Sequence, residues 1–198
     1  MQELAGLGIT LLSDEIYHGL VYEGSEHSIL EFTDDAFVFN GFSKLYAMTG
    51  WRLGYLIAPP RYMRVLQTLQ QSFMISASHF GQIAALTALT SDEVTKDLKR
   101  MREIYDERRR FTLKRVREIG LGVAVEPTGA FYIFANAKKF TADSYNFAFE
   151  ILEKAGVGVT PGIDFGENGE GFLRFSYANS LENIAEGMNR LERFLHNL

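Results

Sequence analysis

The sequence contains no cysteine, no long apolar run and no excess of basic residues. Without cysteine the chain has neither a disulfide framework nor thiolate ligands for a metal ion, which fits a cytoplasmic protein. No apolar run is long enough to cross a bilayer, and residues 1–8 lack the layout of a signal peptide. The net charge of -5 predicts no general affinity for nucleic acid or anionic membranes. The four histidines show no metal-ligand spacing, so no metal site is expected.

Short apolar runs and helical periodicity predict alternating strands and helices. Strands are predicted over 9–12, 36–39, 53–58, 123–125, 130–134, 157–160 and 172–177. Helices are predicted over 61–73, 81–89, 91–119, 144–155 and 181–195, and residues 1–6 have the pattern of a helix end. Because the first three runs do not alternate with polar residues, we expect those strands to be covered on both faces.

This order of elements predicts an α/β fold with two domains. The first domain is expected over residues 1–92 and the second, with a long connecting helix, over 93–198. The first domain has too few helices to cover both faces of its sheet, so the chain is expected to begin inside a domain. The basic run 108–110 lies among acidic residues of the connecting helix, which predicts a solvated, ion-paired face.

Residues 41–54 combine the amine of Lys44 with the guanidinium of Arg52, in the sequence GFSKLYAMTGWRLG. Lys44 follows a predicted strand, and ligand sites in open α/β sheets lie at the carboxyl ends of strands. A lysine in a largely apolar pocket loses some preference for its charged form and can act as a nucleophile. Arg52, eight residues later, has a planar guanidinium suited to phosphate, and Ser43 adds a hydroxyl. An amine nucleophile beside a phosphate clamp is what a pyridoxal phosphate site requires.

Asp14 and Tyr17 supply two further groups that such a site needs. The carboxylate of Asp14, at the end of another predicted strand, can pair with a protonated pyridine nitrogen. The hydroxyl of Tyr17 can donate a hydrogen bond to a phenolic oxygen and so lower the pKa of an imine. Taken singly, a capping aspartate and a half-buried tyrosine are equally good interpretations. The joint spacing with Lys44 and Arg52 is more specific than any one member.

Several motifs together resemble the class I/II, fold type I aminotransferases, with the aspartate aminotransferase group nearest. They are SDEIY at 13–17, GFSK at 41–44, GWRLGY at 50–55, EPTGAFY at 126–132 and RFSYA at 174–178. The resemblance covers essentially the whole chain in the family's order. It implies a partial three-layer pyridoxal-phosphate-dependent transferase large domain, aspartate aminotransferase-like, in residues 1–92. A small α/β C-terminal domain is implied for residues 93–198.

The resemblance also implies a role for each residue of the first domain's site. Asp14 would bind the pyridine nitrogen of pyridoxal 5'-phosphate and Tyr17 its phenolic oxygen, while Arg52, helped by Ser43, would bind the phosphate. Lys44 would form the Schiff base with the cofactor and later move the proton from the substrate Cα.

In the second domain, the resemblance implies that Arg174 holds the α-carboxylate of the substrate as a bidentate pair. The implied reaction transfers an α-amino group from an amino acid to a 2-oxo acid. The implied enzyme is a cytoplasmic homodimer that needs neither nucleic acid nor membrane.

Two departures from the family pattern qualify this expectation. Gly41 stands where the family often has a serine, so Ser43 or backbone groups are expected to supply that hydrogen bond to phosphate. The family's long upstream half is also missing from the sequence. We therefore expect the C-terminal portion of an aminotransferase, inactive by itself.

Two alternatives remain open from the sequence. A β-lyase or another pyridoxal-phosphate enzyme of the same fold needs the same Lys44, Asp14 and Arg52, and its products distinguish it from a transaminase. A transcription regulator with an aminotransferase-like sensor domain would instead carry an upstream winged-helix DNA-binding domain.

Overall fold

The computed structural model describes residues 7–198, so the helix end predicted at 1–6 lies outside the described residues. The chain forms two compact units that divide between residues 100 and 101. Each unit contains a three-stranded sheet and helices, which confirms the α/β class. Within the described residues, no helix combines the length and apolarity that a membrane span requires.

The sheet of the first unit has the order β1, β2, β3, with strands Leu11–Asp14, Ala36–Gly41 and Gly54–Ile57. The first two strands are parallel, and the third is antiparallel to the second. All three strands were predicted, with small differences at their ends. The buried side chains of β2 are Ala36 and Val38, which anchor the middle of the sheet.

The expectation that all three strands are covered on both faces is wrong. Tyr55, Leu56 and Ile57 of β3 are all exposed, and so are Leu12 of β1 and Phe39 of β2. Apolar side chains of all three strands, including the central β2, therefore lie on sheet surface that the described residues leave uncovered.

Three helices follow β3 and match the predicted order. A 3-10 turn at Pro60–Tyr62 leads into α1, Met63–Phe73, and α2 covers His79–Thr90. The hydroxyl of Ser78 caps α2 by accepting a hydrogen bond from the Gly81 N–H at 3.4 Å. The third helix, α3, runs over Asp92–Glu118 and contains the division between the units.

The basic run on α3 is only partly the solvated face that its sequence predicts. Arg109 is 2% exposed, whereas the side chain of Arg110 is largely exposed. Arg109 pairs with Asp106 at 2.7 Å and donates a hydrogen bond to the Pro127 carbonyl at 2.7 Å. The charge is tolerated in the interior because a carboxylate and a carbonyl both satisfy it.

The sheet of the second unit is antiparallel and packs against two helices. Its order is β4 (Tyr132–Asn136), β6 (Phe172–Ser176) and β5 (Thr160–Pro161). The helices are α4, Ser144–Ala155, and α5, Leu181–His196. The fully buried apolar residues of this core include Ile133, Ile151, Leu173, Leu191 and Val116.

The strand predicted at 123–125 is wrong. Gly122 forms a single bridge to Asn136, after which the chain leaves the sheet and exposes Val125. The loop is then held by side chains, since Arg109 binds the carbonyl of Pro127 and the hydroxyl of Tyr177 donates to the carbonyl of Ala130 at 3.2 Å. The strand predicted at 157–160 is also shorter in the structure, where only Thr160–Pro161 pairs with β6.

Candidate active site

The residues predicted for a cofactor site in the first unit lie at one edge of its sheet. Because β1 and β2 are parallel, with Asp14 in register with Phe39, their carboxyl ends lie together. The antiparallel β3 begins opposite that end, with Gly54 paired to Gly41. Ligands in open α/β sheets bind outside the carboxyl ends of the parallel strands. This edge carries Asp14, Tyr17, Ser43, Lys44 and Arg52, each within three residues of a strand end.

A hydrogen-bonded loop between β2 and β3 holds Lys44. The Ala47 N–H donates to the Lys44 carbonyl at 3.2 Å, and the Met48 N–H donates to the Phe42 carbonyl at 3.1 Å. The side chains of Phe42, Met48 and Leu53 are buried together with Ala85 of α2. The loop is thus fixed by its own core, which gives Lys44 a defined backbone position.

The side chain of Lys44 is half-buried and faces an aromatic ring. Its Nζ lies 5.6 Å from the centroid of the Tyr17 ring. Tyr17 itself lies in the turn that follows β1. The structure therefore brings together two residues that are 27 positions apart in the sequence.

Arg52 occupies the left-handed backbone region, with φ 52° and ψ 47°. A residue other than glycine in this conformation costs on the order of 1 kcal/mol, and such strain is concentrated at functional sites. Its Nη1 donates to the Thr49 carbonyl at 3.0 Å. Among residues 7–198, no carboxylate pairs with Arg52. The exposed guanidinium therefore retains donors for an anion.

The close approach of two strands at Gly41 accounts for glycine at a position where the family often has serine. A Cβ at this position would lie 3.1 Å from both the Gly54 Cα and the Leu53 carbonyl oxygen. Glycine therefore allows β2 and β3 to approach closely just before Ser43.

Asp14, the last residue of β1, is exposed, and one of its carboxylate oxygens accepts a hydrogen bond from the Ile16 N–H at 3.1 Å. This local bond fixes the turn that carries Tyr17.

Glu15 was not among the predicted site residues, although its carboxylate is 6% exposed and lies directly after Asp14. It accepts hydrogen bonds from the Ile29 N–H at 2.9 Å, the Ser28 hydroxyl at 3.0 Å and the Ser13 hydroxyl at 3.0 Å. Burial opposes ionisation of this group, but the three hydrogen bonds, with His18 nearby, outweigh burial and lower its pKa. Glu15 thus ties the segment around Asp14 to the loop at 28–29.

Arg174 lies in the second unit, half-buried on the central strand β6. Its Nη2 donates to the Thr160 hydroxyl oxygen at 3.2 Å. Its guanidinium carbon lies 4.3 Å from the centroid of the Tyr132 ring and 4.8 Å from that of Phe165. In the described part of the chain, no carboxylate pairs with Arg174, so its fork is available to an external one. The three residues around Arg174 were not predicted from the sequence.

An α/β chain with a lysine, a carboxylate and an arginine at one sheet edge, and a second arginine suited to a carboxylate, has the features of a pyridoxal-phosphate-dependent transferase. Comparison with known proteins identifies the family. The family model described as "Aminotransferase class I and II" matches residues 2–191. The chain belongs to this family.

Relatives and solved structures agree with this assignment. The chain is 44% identical to a (5-formylfuran-3-yl)methyl phosphate transaminase of Methanocaldococcus jannaschii, over 94% of this chain and 50% of that protein. It is 41% identical to an aspartate aminotransferase of Pyrococcus horikoshii, over 94% of this chain and 48% of that protein. The crystal structure of an aromatic aminotransferase from Pyrococcus horikoshii superimposes with a TM-score of 0.93 at 37% identity, covering 99% of this chain and 53% of that one. The chain spans about half the length of the curated relatives that it matches.

Proposed function

We propose that this chain is the lysine-bearing portion of a pyridoxal-phosphate-dependent aminotransferase. The whole protein would transfer an α-amino group from an amino acid to a 2-oxo acid. The observation that carries the proposal is the collection of Asp14, Tyr17, Lys44 and Arg52 at one edge of a parallel strand pair. The named relatives are transaminases, which gives no support to the β-lyase and regulator alternatives.

The donor set fits pyridoxal 5'-phosphate by its chemistry. Lys44 provides a primary amine, Asp14 an exposed carboxylate and Arg52 a guanidinium without a carboxylate partner among the described residues. When bound, the cofactor supplies an electron sink for negative charge that develops at the substrate Cα.

Each residue has one task in this proposal. Asp14 would bind the ring nitrogen, Tyr17 the phenolic oxygen, and Arg52 with Ser43 the phosphate. The amine of Lys44 would hold the cofactor covalently and, once displaced by substrate, move a proton at the substrate Cα.

Arg174 would bind the substrate through its α-carboxylate. A bidentate pair fixes the orientation of the carboxylate and therefore of the neighbouring Cα–H bond. The same group is present in amino acids and 2-oxo acids, so one arginine serves both halves of the reaction.

We assign the α-amino acid and 2-oxo acid classes as substrates, because relatives of 41–44% identity are named for different substrates. A homodimer in the cytoplasm is part of the proposal, supported by the family resemblance and, for the cytoplasm, by the absence of cysteine.

The test is the Lys44→Ala variant in a full-length protein that contains this chain. We expect loss of the visible absorbance of the covalently bound cofactor. Transamination should fall on the order of 10²–10⁴-fold, the usual contribution of a positioned proton-transfer group.

Lys96→Ala is the matched control, because Lys96 is an exposed lysine on α3. It should leave both the absorbance and the rate unchanged. If Lys44→Ala behaved like Lys96→Ala, Lys44 would not be the attachment site and the proposed function would be wrong.

A further inference from the structure

We propose that Phe165 and Thr160 are positioning residues that hold the Arg174 guanidinium ready for the substrate carboxylate. The proposal rests on the proposed function of Arg174. It assigns a task to the loop between β5 and β6, which otherwise only connects two strands.

Thr160 fixes one end of the guanidinium from the neighbouring strand. Arg174 on β6 pairs in register with Thr160 on β5 and with Phe134 on β4. The Thr160 hydroxyl oxygen accepts one N–H of Arg174 at 3.2 Å. A guanidinium has five N–H donors in a rigid fork. One bond to Thr160 therefore anchors one nitrogen of the guanidinium and leaves the other donors for a carboxylate.

Phe165 and Tyr132 place aromatic rings against the same guanidinium. The guanidinium carbon is 4.8 Å from the Phe165 centroid and 4.3 Å from the Tyr132 centroid. Both distances are within the range of a cation–π interaction. Phe165 is itself supported by Phe134, whose ring meets it edge-on at 5.7 Å and 83°. The Phe165 ring that contacts the cation is therefore supported by a second ring.

Backbone packing and buried polar groups hold the loop that presents Phe165. A Cβ at Gly162 would collide with the Gly169 carbonyl oxygen, so the two ends of the loop cross in direct contact. The fully buried Ser144 accepts a hydrogen bond from the Ile163 N–H at 3.2 Å. The Glu170 carboxylate accepts one from the Ser144 N–H at 2.6 Å. Phe165 is thus exposed but carried on a closed loop.

A preformed arginine binds a carboxylate with a smaller loss of side-chain entropy than a mobile one. Removing the Phe165 ring should weaken carboxylate binding about 2- to 5-fold, the effect of one exposed cation–π contact. Thr160→Val should act in the same direction, because it removes the hydroxyl that anchors one guanidinium nitrogen.

The direct test uses a full-length protein that contains this chain and the probe 3-phenylpropionate, which has a carboxylate but no amino group. Phe165→Leu should raise the dissociation constant about 2- to 5-fold. Phe165→Tyr keeps the aromatic ring and Thr160→Ser keeps the hydroxyl, so both variants should bind the probe as the unsubstituted protein does. Phe149→Leu is the matched control, since Phe149 is 49% exposed against 51% for Phe165 and lies on α4. The uncharged 3-phenylpropanamide should bind equally to all variants.

Kinetics add a readout that a merely structural role would not move. In Phe165→Leu, the KM values for the amino acid and for the 2-oxo acid should rise by the same factor as the probe dissociation constant, with kcat unchanged. Equal probe binding by Phe165→Leu and Phe149→Leu would overturn the positioning role. Failure of the protein to transaminate, with the probe results as expected, would overturn the proposed function and leave the positioning role standing.

Discussion

At the scale of single residues, Glu15 places a buried carboxylate beside the candidate cofactor edge. It lies between the exposed Asp14 and the turn that carries Tyr17. Three donors from Ser13, Ser28 and Ile29 converge on it. A buried charge is tolerated only when it is satisfied in this way, so the ionised form of Glu15 contributes to the stability of the folded chain.

Glu15→Gln should lower the free energy of unfolding at neutral pH by about 1–3 kcal/mol, because hydrogen bonds to a charged acceptor are lost. The folded-state pKa is lowered from its ordinary value of 4.5. The stabilisation is therefore fully present above pH 4.5 and is lost as the pH falls through the folded-state value. Urea unfolding of both proteins between pH 7 and pH 3 measures the difference.

The difference in free energy of unfolding between the two proteins should shrink on acidification. His18 also contacts this carboxylate, with its Nδ1 3.3 Å from a Glu15 oxygen. Glu153→Gln is the control at an exposed carboxyl of α4 and should be neutral at every pH. A difference that stayed constant down to pH 3 would show that Glu15 does not act through its charge.

At the scale of elements, local signals decided which predictions succeeded. The helix predicted at 144–155 is confirmed at both ends, because Asp143 caps its start and Gly156 ends it in the left-handed region. The strand predicted at 123–125 failed because the apolar residues there are followed by a loop that Arg109 holds from a distant helix. Tertiary contacts of this kind leave no local pattern in the sequence.

The candidate site divides in the same way. Lys44 and Arg52 are close in sequence, so their spacing alone suggested a site. Thr160 and Phe165 reach Arg174 only through the register of β5 with β6 and the closed loop between them. Because both features depend on long-range pairing, composition and periodicity cannot indicate them.

The closed loop supports a prediction about its glycines. Gly162→Ala should destabilise the chain by at least about 2 kcal/mol, since a backbone carbonyl cannot move aside as a side chain can. The added Cβ would collide with the Gly169 carbonyl oxygen and lie 2.7 Å from that of Phe172. Thermal and urea unfolding followed by circular dichroism measure the change.

Gly187→Ala is the matched control for this substitution. Gly187 lies within α5, and apart from its chain neighbours and the backbone of its own helix no atom lies within 4 Å of an added Cβ. Alanine should stabilise the helix there by about 0.5–1 kcal/mol. Equal stability of Gly162→Ala and Gly187→Ala would contradict the close crossing of the loop ends.

At the scale of the whole molecule, the exposed apolar side chains of the first unit stand out. Phe73, Ile75 and Phe80 are 79%, 85% and 78% exposed, and Leu86 and Leu89 on α2 are exposed as well. Patches of this kind mark surfaces that bind another protein surface. The exposed strand β3 adds an open sheet edge to the same unit.

We therefore expect this 198-residue chain by itself to self-associate in solution. The driving force is burial of apolar area, about 25 cal/mol for each Å² removed from water. The double variant Phe80→Ser/Leu86→Gln should reduce association, because it removes two exposed apolar groups from α2 while leaving the buried Ala85 in place. Val125→Ser changes an equally exposed apolar residue in the second unit and should leave association unchanged.

Sedimentation velocity over a range of concentrations distinguishes the three proteins. A monomeric unsubstituted chain at all concentrations would mean that the α2 surface is not an association surface, whereas equal effects of both variants would place the association surface outside α2.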